Sequence, residues 1–241
     1  MLIDADSVAR FAALLGDPTR ATMCLALIDG RAWTVVELAA HADVARSTAS
    51  EHATTLVEAG LLAEERQGRH RYLRLADPDI ARLIEDLGGA VGHPAPSPLS
   101  LRGVRAAREL AAARTCYDHL AGTLGVSLYD GLVANDLIDP GAGLALTPAG
   151  RDWFIDLAGE IAVRPRGSRP LVRTCLDWTE RRHHLGGALG AALHRQMVDR
   201  GWVVPSPRHR AVTLTDAGAA ALHHLLGLDL HPIVAAAHIA G

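Results

Sequence analysis

The chain has 241 residues, a formal net charge of −3 and 49% apolar residues, enough to bury an ordinary core in one large or two modest domains. This composition excludes a disordered chain. The lack of a run of roughly 20 apolar residues and of a basic, apolar leader predicts a cytoplasmic protein with no membrane partner. Alanine and leucine are abundant and aromatic residues make up only 4%, so we expect a mainly α chain with short β-hairpins.

The first ninety residues begin with four predicted helices, at residues 6–15, 21–29, 35–41 and from Arg46 or Ser47 to about 60. The fourth helix carries short hydrogen-bonding side chains at its N-terminal end and apolar ones further along. This pattern is typical of a recognition helix, whose first turns enter the major groove of DNA. The side chains predicted to reach base edges are Arg46, Ser47, Thr48, Ser50 and His52.

A predicted hairpin follows the fourth helix, with strands at residues 61–67 and 70–75 around Gly68. Three arginines in or beside its turn are expected to hold phosphate or the minor groove, namely Arg66, Arg69 and Arg71. Such contacts position a protein on DNA without specifying sequence. Acidic residues outnumber arginine before residue 92, so the average charge of this region does not favour DNA binding. The local cluster of basic residues does favour it.

Five segments of this region together resemble the ArsR-type repressors: residues 15–20 (LGDPTR), 36–39 (VELA), 47–52 (STASEH), 58–62 (EAGLL), and Gly68-Arg69 with Tyr72-Leu73. The resemblance implies a winged helix-turn-helix repressor that binds a pseudo-palindromic operator in double-stranded DNA. It also implies a homodimer paired through the helices at 6–15 and 77–91. The metal sites usual in that family do not carry over, since no Cys-x-Cys follows Glu37-Leu38 and residues 77–91 contain no histidine.

Two proline-rich breaks, at residues 93–98 and 164–170, divide the chain into a winged-helix domain (1–92) and two later segments (99–163 and 171–241). The later segments resemble each other. Arg114-Thr115-Cys116 recurs as Arg173-Thr174-Cys175, His119-Leu120 as His184-Leu185, and Leu146-Thr147 as Leu214-Thr215. We therefore predict a duplicated α+β domain. Each half reads as a helix, a hairpin and a second helix, in the manner of a winged helix.

Cys116 and His119 are three residues apart, so on a helix they share a face. With Cys175 and His184 they are candidates for a metal or metalloid site between the two halves, in which His183 is an alternative to His184. Other roles stay open. The cysteines also fit a small apolar core residue, the role expected of Cys24, or a thiol that reacts or contacts an organic ligand. The histidines also fit hydrogen bonds to backbone carbonyls.

Six aromatic residues are candidates for lining an apolar effector pocket in the later segments: Tyr117, Tyr129, Trp153, Phe154, Trp178 and Trp202. A less favoured candidate for contacting DNA is the group Arg208, His209 and Arg210. Catalytic motifs such as a phosphate-binding glycine loop are absent, and helical spacing places Asp118 away from Cys116 and His119. The sequence thus predicts an effector-responsive transcriptional repressor. An enzyme or an adaptor that has lost DNA binding is a remote alternative.

Overall fold

The computed structural model describes residues 4–28, 30–68, 70–91, 101–141, 143–164, 169–206 and 210–238. The chain divides into two compact units, Met1–Leu87 and Gly88–Gly241. Helices predominate and the strands are short, as the composition predicts. The predicted linker at 93–98, and residues 165–168 of the second predicted break, lie outside the described residues. In the part of the chain that is described, no helix is long and apolar enough to cross a membrane.

The first unit is a helix-turn-helix followed by a wing. Its elements are α1 (Ala5–Leu15), α2 (Pro18–Ala26), β1 (Trp33–Thr34), α3 (Val35–His41), α4 (Arg46–Glu58), β2 (Leu62–Gln67), β3 (His70–Leu75) and α5 (Pro78–Val91). The strands form an antiparallel sheet in the order β1-β3-β2. The four predicted helices and the wing are thus confirmed. The second helix starts earlier than predicted, and the two-residue strand β1 was not predicted.

Two sets of caps explain where these helices begin and end. Asp17 accepts a hydrogen bond from the backbone N–H of Arg20 at 2.9 Å, and the Arg20 side chain donates to the Leu14 carbonyl at 2.7 Å, near the end of α1. Pro18 occupies the first turn of α2, where no backbone donor is needed. Thr34 and Glu37 form a reciprocal capping box that starts α3. The segments LGDPTR and VEL therefore fix the helix-turn-helix geometry.

The second unit repeats the order hairpin, helix, hairpin, helix. After α6 (Leu101–Ala112) come β4 (Arg114–Cys116), β5 (His119–Ala121), α7 (Gly122–Ala134), β6 (Ile138–Asp139), β7 (Ala145–Leu146), α8 (Pro148–Ala158), a 3-10 turn (Glu160–Val163), β8 (Arg173–Leu176), β9 (His183–Gly186), α9 (Gly187–Asp199), β10 (Val203–Pro205), β11 (Val212–Leu214), α10 (Asp216–Leu226) and α11 (His231–His238). Helices α7 and α9 have 13 residues each, and α8 and α10 have 11. Thr147 and Thr215 cap α8 and α10 in the same way.

One apolar core joins the two halves of this unit. Both halves contribute large side chains to it, among them Leu124, Leu128, Leu132, Phe154, Leu189, Leu193, Met197 and Leu222. Strand β5 packs against β9, and Arg114 at the start of β4 forms a bridge with Ala211 next to β11. The second unit is therefore a single packed body.

The predicted order within each half is wrong in one respect, because a hairpin precedes the first helix. Cys116 and His119 lie on β4 and β5 and face each other across a two-residue turn, so they do not share a helix face. Leu120 is likewise on β5 and not on α7. A three-residue spacing fits both one helical turn and a tight hairpin, and here Tyr117 turns the chain with φ of +54°.

Candidate functional site

Helix α4 presents one face to the core of its unit and the opposite face outward. Ala49, Ala53 and Leu56 are buried, at helical spacing. Of the predicted base-contacting residues, Arg46 and Ser47 are exposed, whereas Thr48, Ser50 and His52 are partly buried. The pKa of Asp17 is lowered mainly by the N–H of Arg20 and also by the charge of His52, so His52 lies towards the start of α2. Arg46 and Ser47 are thus the outward-facing members of the predicted set.

Two of the wing arginines form ion pairs with Glu64, a residue that the sequence reasoning did not consider. Arg71 forms an ion pair with Glu64 at 2.6 Å and donates to the Thr54 hydroxyl of α4 at 3.2 Å. Arg66, which is well exposed, also approaches Glu64, at 3.4 Å. The bond from Arg71 is the main reason that the pKa of Glu64 is lowered. Arg71 therefore connects the wing to the recognition helix, and Glu64 holds it in place. The predicted contact Arg69 lies outside the described residues.

The second unit brings the four predicted cysteine and histidine residues together. Cys116 is opposite His119 in the hairpin β4–β5, and Cys175 is opposite His184 in β8–β9. Candidate ligand atoms of Cys116, His119 and His184 lie within 4.8 Å of one another, and the two imidazole rings are 5.1 Å apart. We call these four residues the Cys–His cluster. All four side chains are buried.

Cys175 adjoins this trio through its sulfur. The hydrogen bond from the Cys116 thiol is the main reason that the pKa of Cys175 is lowered. Burial raises that pKa, but the hydrogen bond from His119 lowers it further, and the resulting pKa is about 5. Burial, followed by the charge of His119, lowers the pKa of His184 to about 3. At neutral pH the cluster therefore contains a thiolate and a neutral imidazole.

Two glycines allow the halves to approach closely at the cluster. A Cβ on Gly190 of α9 would lie 3.1 Å from the Cβ of His119, and a Cβ on Gly125 of α7 would lie 3.5 Å from that of His184. Each helix thus approaches the histidine of the other half. The matching positions of Gly125 and Gly190 give the cluster an approximate twofold arrangement.

A carboxylate faces Nδ1 of each imidazole. Asp118 lies 3.3 Å from Nδ1 of His119, and Asp177 lies 3.5 Å from Nδ1 of His184. The prediction that Asp118 lies away from Cys116 and His119 is therefore wrong, because it assumed a helix where a hairpin forms. Burial would raise the pKa of Asp118, but bonds from His119 and Arg169 outweigh it and hold the pKa at about 2.

Asp177 is buried and is held by several donors. Burial would raise the pKa of Asp177, but the charge of Arg114 and hydrogen bonds from Thr179 and the N–H of Gly122 keep this pKa well below the usual range. Sequence reasoning set Asp118 aside and did not consider Asp177, although a signal existed for both. Each follows its cysteine by two residues, as Cys116-x-Asp118 and Cys175-x-Asp177.

The predicted aromatic residues do not line the open groove found in this unit. That groove has a volume of about 520 Å³ and is lined by Leu144, Leu146, Thr147, Pro148, Arg151, Leu171 and Val172. Phe154 is fully buried with Trp153 packed edge-on to it, and Trp178 stacks on Arg114. Arg208 and His209 lie outside the described residues.

Comparisons with known proteins give consistent matches. A model described as a helix-turn-helix domain matches residues 15–65. The chain is 39% identical over 227 residues to the uncharacterized HTH-type transcriptional regulator YdfF of Bacillus subtilis, covering 93% of this chain and 99% of that protein. It is 37% identical over 81 residues to the HTH-type transcriptional regulator CmtR of Mycobacterium tuberculosis, covering 34% of this chain and 68% of that protein. The match to YdfF therefore extends over both units.

A solved structure matches about a third of the chain. The homodimeric winged helix-turn-helix DNA-binding domain of a possible ArsR-family transcriptional regulator from Mycobacterium bovis is 30% identical. The matched region covers 33% of this chain and 72% of the Mycobacterium bovis chain, with a TM-score of 0.31.

Proposed function

The chain belongs to the helix-turn-helix transcriptional regulators of the ArsR type, and from this we propose that it represses transcription as a homodimer. The two copies of α4 read a pseudo-palindromic operator in double-stranded DNA. The observation that carries the proposal is the outward face of α4, which presents Arg46 and Ser47 beside a basic wing.

Base reading and phosphate binding fall to different parts of the first unit. Base edges are read from α4 by Arg46, Ser47, Thr48, Ser50 and His52, of which Arg46 and Ser47 are exposed. Phosphate is bound from the wing by Arg66, Arg69 and Arg71. Because Glu64 pairs with Arg66 and Arg71, the wing binds phosphate more weakly than its arginine content suggests.

The homodimer forms through α1 and α5. Leu83 and Leu87 of α5 and Val8 of α1 are large apolar side chains that remain exposed in the single chain. A second copy that covers these residues removes their apolar surface from water. The dimer also provides the two half-sites that a twofold-symmetric operator requires.

The second unit binds the effector and arose by duplication. The repeated order of elements, the equal lengths of α7 and α9, and the matched caps at Thr147 and Thr215 support the duplication. We assign this unit a regulatory role in a cytoplasmic protein, and not a catalytic one. Cys175, His119 and Asp118 are arranged in the order of a nucleophile, a base and an orienting acid, but their burial keeps a substrate away.

DNase I footprinting of the full chain on DNA upstream of its own gene tests the proposal. We expect a symmetric protected region whose half-sites lie about 10 base pairs apart. Ser47→Ala with Arg46→Ala should abolish the footprint, whereas Arg164→Ala, which removes an exposed arginine of the second unit, should not. If no DNA is bound in preference to random competitor, the chain is an adaptor and the proposal is wrong.

A further inference from the structure

We propose that Cys116, His119, Cys175 and His184 form a buried four-ligand site for a divalent cation of the zinc class, with Asp118 orienting the imidazole of His119 and Asp177 adjacent to that of His184. The site itself rests only on residues of the second unit. Its use as the effector site rests on the proposed function.

The first support is the spacing of the donor atoms. Zinc binds cysteine sulfur at about 2.3 Å and histidine nitrogen at about 2.0–2.1 Å, so tetrahedral ligand atoms lie roughly 3.3–3.8 Å apart. Candidate ligand atoms of Cys116, His119 and His184 already lie within 4.8 Å of one another, and Cys175 contacts Cys116 and His119 through hydrogen bonds. Small side-chain movements would bring the four donors to an ion at their centre.

The second support is the orientation of the histidines. Asp118 hydrogen-bonds to Nδ1 of His119 at 3.3 Å, which leaves Nε2 of that ring facing the cluster. Asp177 lies 3.5 Å from Nδ1 of His184, but this nitrogen has no hydrogen bond to the described residues. Nε2 of His119 and Sγ of Cys175 both lie next to Gly186. Both ring nitrogens of His184 are buried and have no hydrogen-bond partner in the described part of the chain, so either can serve as the ligand atom. A carboxylate on the outer nitrogen of a ligating histidine is the usual arrangement at zinc sites, where it fixes the ring and its tautomer.

The donor set selects the class of ion. Two sulfurs and two imidazole nitrogens in tetrahedral arrangement suit zinc, whereas magnesium and calcium prefer oxygen. On binding, any proton still on a cysteine sulfur leaves to solvent, and each sulfur and one nitrogen of each imidazole donates a lone pair. Two thiolates and two neutral imidazoles carry a charge of −2, which a divalent ion cancels. Arg114 and Arg169 leave this balance unchanged, because Asp177 and Asp118 already neutralise them.

The site connects the two halves of the second unit. Cys116 and His119 come from the hairpin β4–β5, and Cys175 and His184 come from β8–β9. An ion at the centre therefore links hairpins that are otherwise joined by packing and by the ion pair of Arg114 with Asp177. Metal loading should stabilise this unit, because a ligand that binds only the folded state raises its stability. Through the proposed function, it should also change operator affinity.

Metal analysis of the full chain tests the site. Protein purified with zinc and then freed of loose metal should retain about one zinc per chain. Cobalt(II) in its place should give the visible bands of a tetrahedral complex and near-ultraviolet charge-transfer absorption from thiolate. Cys116→Ser and Cys175→Ser should each lose about half of the charge-transfer intensity, because each removes one of two thiolates. Cys24→Ser is the matched control, since Cys24 is a buried cysteine of the first unit, and it should change neither result.

Asp118→Asn tests the positioning role of the carboxylates. We expect zinc affinity to fall by about 10- to 100-fold while the cobalt spectrum keeps both thiolates. An unchanged affinity would remove Asp118 from the site.

If the cysteine variants do not fold, alkylation of the wild-type chain gives the same information. Zinc should protect Cys116 and Cys175 from iodoacetamide relative to chelator-treated protein and leave the labelling of Cys24 unchanged. The site is overturned if the folded, reduced chain retains no zinc and gives no charge-transfer band. It is also overturned if Cys116 and Cys175 form a disulfide that persists in the purified chain in place of metal binding. Footprinting on the same samples separates the two proposals. If the chain protects operator DNA but retains no zinc, only the metal site is overturned. If the chain retains zinc but protects no DNA, only the proposed function is overturned.

Discussion

Arg114 holds a full positive charge in the interior of the second unit, and its neighbours explain why this is stable. Its guanidinium donates to Asp177 at 2.8 Å and to the Leu110 carbonyl at 3.0 Å. It also lies 4.4 Å from the ring centre of Trp178. The side chains of Arg114 and Asp177 are only 1% and 0% exposed. Removing one partner of such a pair leaves an uncompensated buried charge.

We therefore predict that Arg114→Ala lowers the free energy of unfolding by about 3 kcal/mol. Arg164→Ala, which breaks the exposed pair with Glu160, should stay within about 0.5 kcal/mol of wild type. Urea titration followed by circular dichroism measures both. Equal effects of the two substitutions would show that the buried pair contributes no more than a surface pair.

Cys24 should be the least reactive thiol at moderate pH. Burial in α2 raises its pKa to about 11, against an ordinary value of 9.0. At pH 8 its thiolate fraction is then about 100-fold lower than that of an unperturbed thiol, and the thiolate is the reactive form. Iodoacetamide labelling of Cys24, followed by peptide mass spectrometry, should be at least that much slower in the folded chain than in urea. Similar rates in the two states would contradict the burial of this residue.

At the scale of elements, the pairing of Glu64 with Arg71 limits how strongly the wing binds DNA. Glu64→Gln should release Arg71 to phosphate, strengthen binding to operator and random DNA alike, and steepen the salt dependence by about one unit of slope. Arg71→Ala alone should change the slope little, whereas added to Glu64→Gln it should remove the gain, about 0.9 for one phosphate contact. Fluorescence anisotropy at several salt concentrations measures these slopes.

Glu65→Gln is the control for this prediction. It removes the same charge from the opposite face of β2 without releasing Arg71, so its effect should be smaller. If the two glutamine variants behave identically, only the overall charge of the wing matters.

Local signals explain which elements the sequence predicts well. Asp17, Pro18, Thr34 and Gly68 each fix a helix start or a turn through their own chemistry, so the first unit follows from its sequence. The hairpin β4–β5 has no such unique signal, because the spacing of Cys116 and His119 suits a helix equally well. In β8–β9 the paired residues are nine positions apart, and only tertiary packing brings them opposite each other.

The four residues of the Cys–His cluster were predictable from the sequence, but the contacts that position them were not. The repeated cysteines and histidines identify its four members. The carboxylates depend on the hairpin geometry, since Asp118 reaches His119 only because the chain turns at Tyr117. Arg169 lies far along the chain from Asp118, so its bidentate bond could not be read from spacing.

At the scale of the whole molecule, α5 carries more apolar surface than one chain can bury. Ala81 and Ile84 face the core and are 0% and 6% exposed, whereas Leu83 and Leu87 on the other side are each 43% exposed. Val8 of α1 is 55% exposed. A helix with apolar side chains on two faces needs a partner for the second, and another copy of the chain provides one.

We predict that light scattering of the wild-type chain gives twice the 25.5 kDa of one copy, and that Leu83→Glu with Leu87→Glu gives a monomer. Pairing would bury two carboxylates in an apolar interface, which costs more free energy than the contact supplies. The same variant should lose most of its operator affinity, because each monomer then binds a single half-site. Val204→Glu is the control, since it adds a charge at a 52% exposed apolar residue of β10 and should leave the dimer intact. A wild-type mass of one chain at every concentration would refute pairing through α5, and a dimeric double variant would move the interface to another surface.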